Sequence, residues 1–213
     1  MSRLGCTALR IAELSQFCVN KKHKIMDTID VIRIPVIETE RLILRSFRES
    51  DLEPYYEMMA DPDITRYLMS SEPLSHHDAW RSAATMAGHW MLHGFGQWAI
   101  EEKSSGKFIG RCGIIEPEGW PSKEVGWVLH KSAWGQGYAT ESAQAALNYA
   151  FSVMKLDTII SLIQSGNEPS VSVAERIGES FKERINLFGK EADVYQITAK
   201  DYYKQKVALR RKR

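Results

Sequence analysis

Two glycines one residue apart, Gly135 and Gly137, stand between an apolar run, Glu124 to Leu129, and a stretch with helical periodicity. In that stretch Ala139, Ala143, Ala146, Leu147, Ala150 and Phe151 fall on one face of a helix. The order predicts a strand, a tight turn and a helix. The chemistry it offers is anion binding. The first backbone N–H groups of a helix have no internal partner, and the helix dipole adds partial positive charge there. Glycines in the turn remove side chains that would hold a phosphate away from those groups. A second polar group, Asn167-Glu-Pro-Ser170, follows a β-branched run and opens another helix that ends at Gly178. Asn167 suits an N-cap and Pro169 the first helical turn.

Several phosphate ligands can be set aside. A Walker loop needs G-x-x-x-x-G-K-S/T, and no Lys-Ser/Thr follows Gly137. A dinucleotide fingerprint needs G-x-G-x-x-G after the first strand of its unit; here Tyr138, Ala139 and Thr140 follow, past mid-chain. The turn WGQGYATE instead resembles the acyl-CoA pyrophosphate loop of the GNAT acetyltransferases, in the branch related to the RimJ/RimL-type ribosomal-protein N-acetyltransferases. Gly137 and Ala139 match the pattern Gln/Arg-x-x-Gly-x-Gly/Ala, with Trp134 in the first position. ETERLILR, QWAIEEKSSGKFIGRCGI and NEPSVSVAERIG resemble other segments of that branch, so the likeness runs from about Glu38 to about Thr198.

The resemblance implies transfer of an acetyl group from acetyl-CoA to a primary amine in a ternary complex, without an acyl-enzyme. It places Trp134, Gly135, Gln136, Gly137, Tyr138 and Ala139 at the pyrophosphate, and Asn167 and Ser170 beside the pantetheine arm. Trp127, Val128 and Leu129 resemble a strand that bulges open to bind pantetheine, with the N–H near Leu129 polarising the thioester. An amine is mostly protonated at neutral pH, so a base must take its proton. Glu124 is the candidate base, acting through water; the alternative is an exposed carboxylate at a strand end. The thiolate benefits from an acid. Many members carry a Tyr four residues before the helix-ending Gly, but Ala174 stands there, which leaves Ser170, water or Tyr195, in that order. A non-catalytic CoA-binding module is the alternative to an enzyme.

The elements that position these residues read as an α/β (α+β mixed) fold. The resemblance implies a mixed, largely antiparallel twisted sheet of about seven strands, flanked by helices. A βαβ unit makes Glu124 to Leu129 and Leu156 to Gln164 parallel. Glu38 to Phe47 reads as one strand, and a helix follows from Ser50 to about Ala60. Ser75-x-x-Asp78 caps a further helix that stops near Gly94. Gln97 to Glu102 and Lys107 to Ile115 form a hairpin, and Phe181 to Phe188 with Ala192 to Ala199 form another. Pro117 to Pro121 is a loop, read either as an acceptor entrance or as plain surface. His89 and His93 are four apart, but no third ligand is evident, so a packed pair is expected and no metal. Cys112 has no His to activate it and reads as a small buried hydrophobe.

Lys and Arg number 28 against 27 Asp and Glu, which argues against general nucleic-acid binding. Three scattered cysteines make no disulfide framework and suit a cytoplasmic setting. No apolar run approaches a membrane span. The expected organisation is an amino-terminal extension at 1–35, an acetyltransferase domain at 36–200 and a basic carboxy-terminal tail at 201–213. The expected partners are acetyl-CoA and an amine acceptor, a peptide N-terminus or a small molecule, with the chain a monomer or homodimer.

Overall fold

The structure, a computed structural model, describes residues 32–211. The expected extension at 1–35 lies outside the described residues except for 32–35. Eight strands form one sheet: β1 Ile37–Glu38, β2 Leu42–Arg45, β3 Gln97–Glu102, β4 Phe108–Ile115, β5 Glu124–Leu129, β6 Thr158–Gln164, β7 Ser180–Leu187 and β8 Lys190–Thr198. Their order is β1-β2-β3-β4-β5-β6-β8-β7. Every neighbouring pair is antiparallel except β5 and β6. The helices are α1 Leu52–Met59, α2 Pro62–Thr65, α3 His76–His93, α4 Tyr138–Ser152, α5 Glu168–Ile177 and α6 Ala199–Arg211.

The mixed sheet and the parallel β5-α4-β6 unit match the expectation. The single strand expected from Glu38 to Phe47 is instead a tight hairpin, with Ile37 opposite Leu44. Thr39 makes the turn, because its Oγ1 accepts the Leu42 N–H at 2.9 Å in place of a backbone partner. That extra edge strand brings the sheet to eight.

Successive side chains on β5 enter opposite layers, as a pleated strand requires. Val125 and Leu129 join the core under α4, with Ala143, Ala146, Leu147, Ala150 and Phe151, the stripe read from the sequence. Val128 packs the other way, with Tyr55, Met58 and Met59 of α1 and Ala79 and Ala83 of α3. Ser75 caps α3 by accepting the Asp78 N–H at 3.1 Å, and Gly94 ends it in the left-handed region.

The segment read as a basic tail is helix α6, and its first turn is part of the core. Tyr202 is 2% exposed. Its ring lies 4.8 Å from Phe151, and its hydroxyl donates to Asn148 Oδ1 at 3.2 Å. Thr198 caps the helix by accepting the Asp201 N–H at 3.2 Å.

Candidate active site

The strand β5 borders β4 in unbroken register from Glu124↔Ile115 to Leu129↔Gly110. On its other edge it meets β6 at a single pair, Glu124↔Ile160. Beyond that point side chains replace the ladder. Ser161 Oγ donates to the Val125 carbonyl at 2.9 Å, and the Leu162 N–H donates to Glu124 Oε1 at 3.4 Å. The opening expected as a bulge is therefore a divergence of two strands, with β5 itself regular.

The divergence leads into a cleft of about 1000 Å³. Trp127, Val128 and Leu129 line its strand side, and Trp134, Gly135, Gly137, Tyr138 and Ala139 line the mouth of α4. Asn167 and Ser170 line it from the start of α5. Gln136, grouped with these from the sequence, is not on the cleft wall. Its Nε2 donates to the Ser132 carbonyl at 2.7 Å.

Gly135 and Gly137 hold φ of 72° and 79°, the left-handed region that glycine occupies without strain. Gly137 is the N-cap of α4 and supplies no capping side chain. The first amides of the helix are thus left for a ligand. Trp134 is fixed by its indole N–H, which donates to the Leu129 carbonyl at 2.9 Å. Asn167 caps α5, its Oδ1 accepting the Ser170 N–H at 3.4 Å, so the capping role and a place on the cleft coexist.

Three arginines on the cleft wall escaped the sequence reading: Arg41, Arg66 and Arg176. Arg41 stacks over the Tyr138 ring at 4.5 Å and donates to the Gln136 carbonyl at 2.9 Å. Glu141 in the first turn of α4 holds it at 2.7 Å. Thr39 and Arg41, two apart inside ETERLILR, both bind that carboxylate, a contact across about a hundred residues that the sequence does not signal. Tyr67 also lines the cleft, its hydroxyl donating to the Gly166 carbonyl at 2.9 Å. Tyr195 does not line it. That ring is buried with Ile163 and Ala174, the residue in place of the expected Tyr.

Glu124 lies outside the cleft wall and is 8% exposed, which overturns the reading of an exposed strand-end carboxylate. Burial pushes its pKa up to about 7, against hydrogen bonds from Trp120 and Leu162 and the charge of Arg111. Trp120 donates its indole N–H to Glu124 Oε2, and its ring lies 5.9 Å from Phe188 at the β7–β8 turn. The loop of Pro117 to Pro121 thus covers the carboxylate. Cys112 is fully buried, and burial pushes its thiol up to about 12. His89 Nδ1 pairs with the Phe95 carbonyl at 2.7 Å and its Nε2 accepts the Glu116 N–H at 3.1 Å. That is a packed neutral imidazole, and burial holds its pKa down. Among the described residues no cluster of three metal-ligating side chains occurs, and no helix is long and apolar enough to cross a membrane.

A strand opened beside a glycine-capped helix mouth, with arginines around it, is the setting in which the chain's relatives become informative. The acetyltransferase (GNAT) domain profile matches residues 41–180. The chain belongs to the GNAT acetyltransferases. The YkkB protein of Bacillus subtilis is 30% identical over 163 residues, which cover 74% of this chain and 92% of that one. The N-acetyltransferase p20 of Bacillus licheniformis is 30% identical over 138 residues, 63% of this chain and 76% of that one. The crystal structure of an acetyltransferase from Agrobacterium tumefaciens superposes with a TM-score of 0.70 at 32% identity. It covers 78% of this chain and 96% of its own. By class this GNAT protein is an acetyl-CoA-dependent N-acetyltransferase.

Proposed function

We propose that this chain acetylates a primary amine by direct attack on acetyl-CoA, with Glu124 as the base. The observation that carries the reading is a buried carboxylate, poised at about 7, on the strand whose other end lines the cleft. At neutral pH it is about half ionised, the condition in which a base both holds its charge and accepts a proton well. Strand geometry puts Glu124 and Val128 on one face, roughly 13 Å apart, so a chain of waters or an extended acceptor must connect them.

In this reading the α4 mouth and Arg41 hold the pyrophosphate, and the free edge of β5 at Trp127 to Leu129 hydrogen-bonds the pantetheine arm. The amine nitrogen forms the C–N bond as the C–S bond breaks. Its proton passes toward Glu124, and CoA departs as a thiolate that Ser170 or water protonates. Ser170 is favoured because it lines the cleft, whereas Tyr195 does not.

Glu124→Gln tests the assignment. It is expected to lower kcat by about 10²- to 10⁴-fold while the acetyl-CoA Kd by calorimetry changes little. The wild-type rate is expected to rise with pH through about 7 as Glu124 ionises, and the variant to lose that limb. Full activity in the variant would remove Glu124 from the mechanism.

A further inference from the structure

A second polar cluster sits beside Glu124, on the sheet face opposite α4. The register aligns Gln97 of β3 with Gly113 and Gly126, and Arg111 of β4 with Val128. Gln97 is 1% exposed and Arg111 9%. Arg111 Nη1 donates to Gln97 Oε1. A guanidinium has no acceptor, so this bond fixes the amide, leaving Gln97 Nε2 to point elsewhere. Neither Gln97 Nε2 nor Arg111 Nε has a partner among the described residues. No described carboxylate forms an ion pair with Arg111.

These are expensive omissions. A buried donor without a partner is costly, and a buried charge without an ion pair more so. Gln97 Nε2 and Glu124 Oε1 also both face the bare Cα of Gly126. The position a Cβ on Gly126 would take lies 3.2 Å from Gln97 Nε2 and 3.6 Å from Glu124 Oε1, and no other atom beyond its chain neighbours comes within 4 Å. Two unanswered donors and a buried cation call for an anion with accepting oxygens, and the carboxylate of Glu124 beside them calls for a cation or amine.

We propose that this polar cluster receives the acceptor and selects a free α-amino acid. The carboxylate of that ligand accepts from Arg111 Nε and Gln97 Nε2 while its amine faces Glu124, and the product is the N-acetyl amino acid. The proposal rests on Glu124 being the base. It narrows the acceptor from any amine to one whose neighbouring carbon bears an anion. A peptide N-terminus offers a neutral carbonyl there, which supplies an acceptor without the counter-charge.

The test compares kcat/KM with acetyl-CoA for matched acceptors: free L-amino acids, their carboxamides, the corresponding decarboxylated amines, and tripeptides. The free amino acids are expected to lead their carboxamides and decarboxylated amines by about 10- to 100-fold. Arg111→Met is expected to erase most of that preference, chiefly by raising the amino-acid KM. Equal rates within each set, or a lead for the tripeptides, would overturn the proposal while leaving amine acetylation standing; ordinary buried water would then satisfy these donors. If no amine of any class is acetylated, the assignment of Glu124 falls and the proposal falls with it. The comparison among acceptors uses the unaltered protein, so a poorly folded variant does not spare the proposal.

Discussion

A second buried acid, Glu179, shows what a single residue contributes. It is 4% exposed, and neither carboxylate oxygen has a partner among the described residues. Burial pushes its pKa up to about 9, and the neighbouring charge of Glu124 adds to the rise. Between the usual 4.5 and about 9 the folded chain keeps a proton that the unfolded chain has lost. Stability therefore falls as pH rises through that window, and the loss is complete above it. Urea unfolding between pH 7.5 and 9, above the range of Glu124, is expected to show that decline, and Glu179→Gln to flatten it. The sequence hid this residue, because Glu after a helix-ending glycine looks like surface. It hid Arg111 less well. A lone arginine inside FIGRCGI, a strand expected to be buried, is itself a signal of an unusual partner. Glu124 was legible as a candidate base, but its burial depends on Trp120, which folds back across a loop that the sequence left undecided.

At the scale of elements, the glycine turn and the first turn of α4 act as one unit. Gly137→Val would place a branched residue at a φ of 79°, a backbone state that disfavours a side chain by roughly 1–2 kcal/mol. The expected outcome is at least about a tenfold weaker acetyl-CoA Kd, opposite in kind to Glu124→Gln, which spares binding. Equal affinity in calorimetry would detach the turn from the ligand. This part of the site was readable because a strand, a positive-φ turn and a helix are adjacent in sequence. The arginines were not, since Arg41 reaches the loop from the turn before β2, nearly a hundred residues earlier in the chain. The hairpin at Thr39 was missed for a different reason: Leu42 to Arg45 continues an apolar run, and only a side chain bonding its own turn separates β1 from β2.

For the molecule as a whole, α6 ties the carboxy-terminal segment to the back of α4. Tyr202→Ala is expected to cost about 3–5 kcal/mol in urea unfolding, the range for large buried aromatic truncations. A loss below about 1 kcal/mol would mean that α6 is only loosely docked. The sequence contained its start, Thr198-x-x-Asp201, the same arrangement that marked α3 at Ser75-x-x-Asp78. The high lysine and arginine content beyond Asp201 outweighed it, although α6 buries Tyr202 while Lys200, Asp201 and Lys204 face outward. The order of strands was legible to the extent that hairpins and one βαβ unit dictate neighbours.

The sheet itself is two plates, β1–β5 and β6–β8, riveted at one backbone pair and bridged by α4. On the unzipped edge the amides of Trp127 and Leu129, which point away from β4, are expected to trade hydrogen for deuterium quickly in the empty protein. A bound cosubstrate lying in the seam would act as a ninth strand, slow that exchange and make the two plates open together rather than one after the other.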